Sequence, residues 1–243
     1  MTAQFNYPSI AKMIDHALLQ PFLNTAELEA GFRLALSYDV ATVCILPYYV
    51  KRANEVLRGS TVKASTTIGF PHGAHATSIK LAEARQALED GATELDMVIN
   101  ISKAKSGDWN YVAAEITSLT TETHAAGAKI KVIFENAYHD DKSKTELCRI
   151  CGEAGADWVK TSTGYAPTGA TLDDLRLMRK HSPAHVQVKA AGGIRDLNMI
   201  LAAREIGVTR VGASRTAEIL EDCRKRLGLP PITTVSAATT SSY

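Results

Sequence analysis

Residues 147–161 read Leu147-Cys148-Arg149-Ile150-Cys151-Gly152-Glu153-Ala154-Gly155-Ala156-Asp157-Trp158-Val159-Lys160-Thr161. Leu147, Ile150, Cys151 and Ala154 follow the i, i+3, i+4, i+7 spacing of one apolar helix face. Gly155-Ala156 suits a helix C-cap that turns the chain into the next element. Trp158 to Thr161 is a short β-rich run. Helix, glycine and strand in immediate succession make half of a βα crossover, the building block of parallel sheets with helices outside.

The same pattern recurs in both directions. Candidate strands are residues 13–18, 41–46, 62–68, 94–99, 129–135, 158–161, 186–190 and 209–213, several of them Val- and Ile-rich as buried parallel strands are. Helical stripes fill the gaps: Leu28, Phe32, Ala35 and Leu36; Val112, Ile116 and Leu119; Leu220, Cys223 and Leu227. Seven steps separate Asp15 in the first strand from Gly212 in the eighth, about 28 residues each, the length of one crossover. Eight such units without a linker predict an α/β fold, a single (β/α)8 TIM barrel over 1–229, with an open doubly wound sheet as the alternative. Pro230-Pro231 is expected to stop the last helix, leaving 230–243 as a flexible tail ending in Tyr243.

Composition narrows the function classes. The chain has 243 residues, 45% hydrophobic and 22% charged, with 27 Lys+Arg against 26 Asp+Glu. A net charge of +1 provides no field for nucleic acid or an anionic membrane. No run approaches the ~18 apolar residues of a membrane span. The four cysteines form no disulfide framework, and Met1 to Pro8 is no secretion signal, so a reducing cytoplasm is the expected compartment. Pattern alone leaves the oligomeric state open, with a homodimer among the admissible states.

In such barrels chemistry sits where strands end. The polar residues there are Asp15, Cys44, Thr67, Asp96, Glu135, Lys160 and Lys189, with Gly192-Gly193 and Ser214 just beyond. Lys160 and Lys189 end neighbouring strands, so two ammonium groups would face one cavity. Burial and like charge disfavour the protonated form and favour a free amine able to attack a carbonyl. The competing reading is that each lysine pairs with a carboxylate such as Asp96. Gly192-Gly193-Ile194-Arg195 and Gly212-Ala213-Ser214-Arg215 follow the last two strands, where barrels often bind phosphate. Cys148-x-x-Cys151 has redox spacing, but Cys151 falls on the helix stripe and reads as core. His72-Gly73-Ala74-His75 lacks a third ligand, so neither metal nor other cofactor is expected.

Further stretches carry a family resemblance: Ile14-Asp15-His16, Gly69-Phe70-Pro71-His72-Gly73, Glu94-Leu95-Asp96-Met97-Val98, Lys160-Thr161-Ser162-Thr163-Gly164, Lys189-Ala190-Ala191-Gly192-Gly193-Ile194-Arg195 and Arg210-Val211-Gly212-Ala213-Ser214. In this order they resemble the deoxyribose-phosphate aldolases. The resemblance implies a class I aldolase acting on small aldehyde and sugar-phosphate substrates. It makes Lys160 the imine-forming residue, Lys189 its pKa-lowering neighbour, and Asp96 and Tyr243 proton-transfer groups. It places Asp15, Cys44, Thr161, Gly164, Gly192, Gly193, Gly212 and Ser214 around the substrate. Departures from the family pattern are Ala17, Gln20, Leu46, Asn136 and Arg215; they bear on acceptor choice and phosphate preference.

Overall fold

The computed structural model describes residues 5–232, so Tyr243 lies outside the described residues. Eight parallel strands close in sequence order: β1 (Ile14–Leu18), β2 (Thr42–Ile45), β3 (Lys63–Ile68), β4 (Glu94–Val98), β5 (Lys129–Ile133), β6 (Trp158–Lys160), β7 (Gln187–Ala191) and β8 (Arg210–Ala213). β8 returns to β1 with Asp15 opposite Gly212, which rules out the open sheet. Each observed strand lies within one or two residues of its expected span. The largest difference is in β5, where Glu135 adopts φ 59°, a left-handed conformation that ends the strand.

Helices α2 (Thr25–Tyr38), α3 (Val50–Leu57), α4 (Thr77–Glu89), α6 (Trp109–Ala125), α7 (Asp141–Ala154), α8 (Leu172–His181), α9 (Leu197–Ile206) and α10 (Thr216–Arg226) form the outer layer; α1 (Tyr7–Ala11) and α5 (Ile101–Lys105) are short additions. Their ends follow from local sequence. Asn24 and Glu27 form a reciprocal capping box on α2, and the Asp140 carboxylate accepts from the Ser143 amide to start α7. Gly155 and Gly207 end α7 and α9 with φ 73° and 99°, and their amides donate to Cys151 O and Ala203 O. The last helix stops earlier than its prolines: it ends at Arg226, with Gly228 at φ 68°. Cys148 and Cys151 are both buried and reduced on the inner face of α7, as core packing requires.

Apolar residues on the outer face of the strands meet the helix stripes and form the main core. The inner face differs. Thr42, Ser65, Thr67, Asp15, Asp96, Lys131 and Lys189 are buried along the strands. A barrel lumen carrying so many polar groups is costly unless they satisfy one another.

Candidate active site

Register fixes the two lysines. Lys160 on β6 is the partner of Lys189 on β7, so their side chains leave the same face of the sheet. Both reach Asp96 Oδ2 on β4, Lys160 Nζ at 2.7 Å and Lys189 Nζ at 2.6 Å. Both also line the cavity at the C-terminal end of the barrel. The lysine-pair expectation and the carboxylate-pair alternative are thus both realised: one carboxylate oxygen is shared by two amines.

Beneath them the network continues. Lys131 Nζ donates to Asp96 Oδ1 at 2.7 Å and lies 2.6 Å from Glu94 Oε2. Lys189 also reaches Asp15 Oδ2 at 2.5 Å. Asp15 Oδ1 accepts from Thr42 Oγ1 at 2.8 Å and from Arg210 Nη1 at 2.7 Å. Arg210 completes a fork onto Glu94, at 2.8 and 3.0 Å. Trp158 closes the floor, its ring 5.0 Å from the Arg210 guanidinium. Lys131, Glu94 and Arg210 are absent from the candidates chosen at strand ends. They lie deeper, at or near the first residues of their strands. The signal for them was parity: Lys131 alternates with Ile130 and Val132, the pattern of an inward-facing residue.

The charges do not cancel. Lys131, Lys160, Lys189 and Arg210 face the carboxylates of Asp15, Glu94 and Asp96. Lys189 has two carboxylates and Lys131 has three within 4 Å, whereas Lys160 has one shared oxygen. Lys160 is therefore the amine least held in its charged form. Burial pushes it down, Asp96 pulls it back, Lys189 pushes it down again, and the outcome lies below the ordinary lysine value. Burial also lowers Lys189, but Asp15 and Asp96 outweigh it and hold this amine above the ordinary value. Lys189 is thus the lysine held in its charged form. Burial raises Asp96, yet Lys131, Lys160 and Lys189 together hold it well below the carboxylate range. Burial and the nearby Asp96 push the Cys44 thiol up, so it remains uncharged in the wall.

The cavity above measures about 530 Å³. Asp15, Cys44, Gly164, Gly192, Gly193, Gly212 and Ser214 line it, as do Arg195 and Arg215 at the rim. Gly192 and Gly193 have φ 81° and 76°. A Cβ at Gly192 would also stand 2.9 Å from Gly169 Cα, so the loops after β6 and β7 cross with no room for a side chain. Their backbone lines the same cavity as Ser214 and Arg215, the residues that lead into α10. Thr161 does not line this cavity. Its hydroxyl donates to Ala191 O at 2.9 Å and accepts from the Ala191 amide at 3.0 Å, which braces β6 against β7 behind the wall. Glu135, in its left-handed conformation, accepts from the Thr163 amide and hydroxyl and so fixes the segment that follows Lys160.

Residues 9–214 match the model of the DeoC/LacD family aldolases. The chain belongs to that family. Among its relatives, the deoxyribose-phosphate aldolase of Rhodopirellula baltica is 59% identical over 99% of this chain and 100% of its own. That of Thermococcus gammatolerans is 46% identical over 88% and 96% of the two chains. Solved structures agree in fold. An aldolase designated QR15 superposes with a TM-score of 0.85 at 40% identity, covering 90% of this chain and 97% of that one. The deoxyribose phosphate aldolase of Aeropyrum pernix, described as a unique tetramer, gives 0.84 at 31% identity, with 91% and 93% covered.

Within this aldolase barrel the departures from the family pattern separate by position. Ala17, Gln20 and Arg215 line the cavity, whereas Leu46 and Asn136 do not. Leu46 therefore does not reduce the polarity of the cavity wall. Tyr165 bridges the Gln20 loop to the rest of the mouth. Its hydroxyl donates to Leu19 O at 2.9 Å, and its ring meets Phe70 edge-on at 5.5 Å between centroids. Arg215 is turned toward Glu218 in the first turn of α10, a pairing that tempers its charge at the rim.

Proposed function

We propose that this protein reversibly cleaves 2-deoxy-D-ribose 5-phosphate to acetaldehyde and D-glyceraldehyde 3-phosphate through an imine on Lys160. The observation that carries this reading is Asp96 Oδ2 held between Lys160 and Lys189 at the floor of the cavity. The neutral Lys160 amine adds to the C1 carbonyl of the open-chain sugar, and loss of water gives a protonated imine. Removal of the C3 hydroxyl proton breaks the C2–C3 bond, and its electron pair neutralises the imine as an enamine. Glyceraldehyde 3-phosphate leaves, C2 takes up a proton, and water releases acetaldehyde and the free amine.

The neighbouring groups suit those proton steps. Lys189 is an ammonium within reach of Asp96 and Asp15, so the three can pass a proton beside the reacting nitrogen. The glycine backbone of 192–193, with Gly164, Gly212 and Ser214, is assigned to the phosphate, and Arg195 supplies charge at the rim. Tyr243 remains in this reading by the resemblance alone. The four buried free thiols fit a reducing cytoplasm.

A coupled assay for glyceraldehyde 3-phosphate tests the substrate. Deoxyribose 5-phosphate should be cleaved with kcat/KM roughly 10²-fold or more above that of unphosphorylated deoxyribose, since charge-assisted bonds to the phosphate are lost. Equal rates on the two sugars would remove the phosphate assignment, and no product from either would remove the reaction.

The pH profile tests the nucleophile. Protonated Lys160 cannot add to a carbonyl, so kcat/KM should fall as pH drops through its depressed pKa and hold at higher pH. An acid limb centred at the unperturbed lysine value of ~10.4 would contradict the charge analysis.

A further inference from the structure

Two residues with no access to the substrate stand at the far end of the charge network. Glu94 is the first residue of β4 and Arg210 the first of β8, at the end of the barrel opposite the cavity. Neither lines the cavity. Their fork is joined to the site from two sides. Arg210 shares Asp15 with Lys189, and Glu94 shares Lys131 with Asp96. Asp96, the carboxylate that Lys160 touches, is thus also engaged by Lys131 and Lys189, cations tied in turn to the floor.

We propose that Arg210 and Glu94 are positioning residues that decide, through Asp15 and Lys131, which lysine of the site gives up its proton. The inference rests on the imine reading above and deepens it. Lys160 faces Asp96 from β4, Lys189 from β7, the Cys44 thiol from β2 and the Glu135 carboxyl beyond β5. Lys131 from β5 and Asp15 from β1 act one bond further away, through Asp96 and Lys189. With Arg210 present, Asp15 is divided between a guanidinium and Lys189. With Glu94 present, Lys131 and Arg210 are partly neutralised and do not add their full repulsion to the site. The excess of one positive charge then falls on the amine with a single shared acceptor, Lys160. The floor fork sets the size of that excess from the end of the barrel opposite the substrate.

Removing either partner should move the nucleophile in opposite directions. Glu94→Gln deletes a negative charge and enlarges the excess, so the acid limb of imine formation should shift to lower pH by about one unit. Arg210→Gln deletes a positive charge and brings the cluster to balance, so the limb should shift to higher pH by about the same amount. The double variant should return it close to the wild-type position. Imine formation is read as borohydride-dependent ethylation of Lys160 by acetaldehyde across pH. Arg210→Lys, which keeps the charge and loses the fork, should retain the wild-type limb even if it melts earlier.

Opposite shifts in the single variants support the proposal. Shifts of the same sign, or none in folded protein that still traps, overturn it. Should one single variant not fold, the other decides: a shift in its stated direction supports the proposal, and an unmoved limb or a shift the opposite way overturns it. Failure of the wild type to trap at all is a different result, since it removes the imine reading itself.

Discussion

Lys160→Leu is expected to lower kcat/KM for deoxyribose 5-phosphate by at least about 10⁴-fold, because no other group can supply the covalent step. Lys189 is not a substitute. It is held as an ammonium by Asp15 and Asp96 and has no free electron pair to offer. The same substitution should leave the unfolding midpoint unchanged or higher. It removes one cation from a buried cluster that carries more positive than negative groups, and Asp96 keeps both Lys131 and Lys189. Steady-state assay with urea unfolding checks both halves. A variant that retains turnover above a hundredth of the wild type contradicts the assignment, and one that unfolds contradicts the charge account.

Asp96→Asn should show a different pattern, with stability and activity falling together. The carboxylate serves three amines, all buried, and an amide cannot balance them. Breaking a buried ionic network by removing one partner costs about 3–5 kcal/mol. Loss of the proton-transfer group should lower kcat by roughly 10²–10⁴-fold. The pH dependence of stability has a definite sign. Asp96 and Asp15 titrate below their unfolded value, so their contribution is fully present above about pH 4 and is lost as pH falls toward their folded values. The Asn variant should therefore lose less stability than the wild type on acidification below pH 4. A loss under about 1 kcal/mol at neutral pH would mean that Asp96 is not the centre of the network.

Much of the fold was legible because parallel barrels repeat one instruction. The Leu147–Thr161 unit, multiplied eight times at crossover spacing, left closure as the main choice, and the Asp15–Gly212 pairing settles it. The proximity of Lys160, Lys189 and Asp96 was legible for the same reason, since strand ends converge at one rim. The lower half of the site was not. Lys131, Glu94 and Arg210 sit where barrel interiors are usually apolar, and attention to strand C-termini passes over them. Nor can pattern show which of two amines owns the carboxylates. That depends on Asp15 of β1 reaching Lys189 of β7 past the intervening β8, a contact between residues 174 positions apart. Thr161, put beside the substrate by the resemblance, instead has its hydroxyl turned away from the cavity by strand alternation and onto the Ala191 backbone.

The most direct test of the account is reduction by borohydride in the presence of acetaldehyde, followed by peptide mapping. One ethyl group should appear on Lys160, with Lys131 and Lys189 unmodified. An ethyl group on Lys189 instead, or no modification while cleavage of deoxyribose 5-phosphate proceeds, would contradict it.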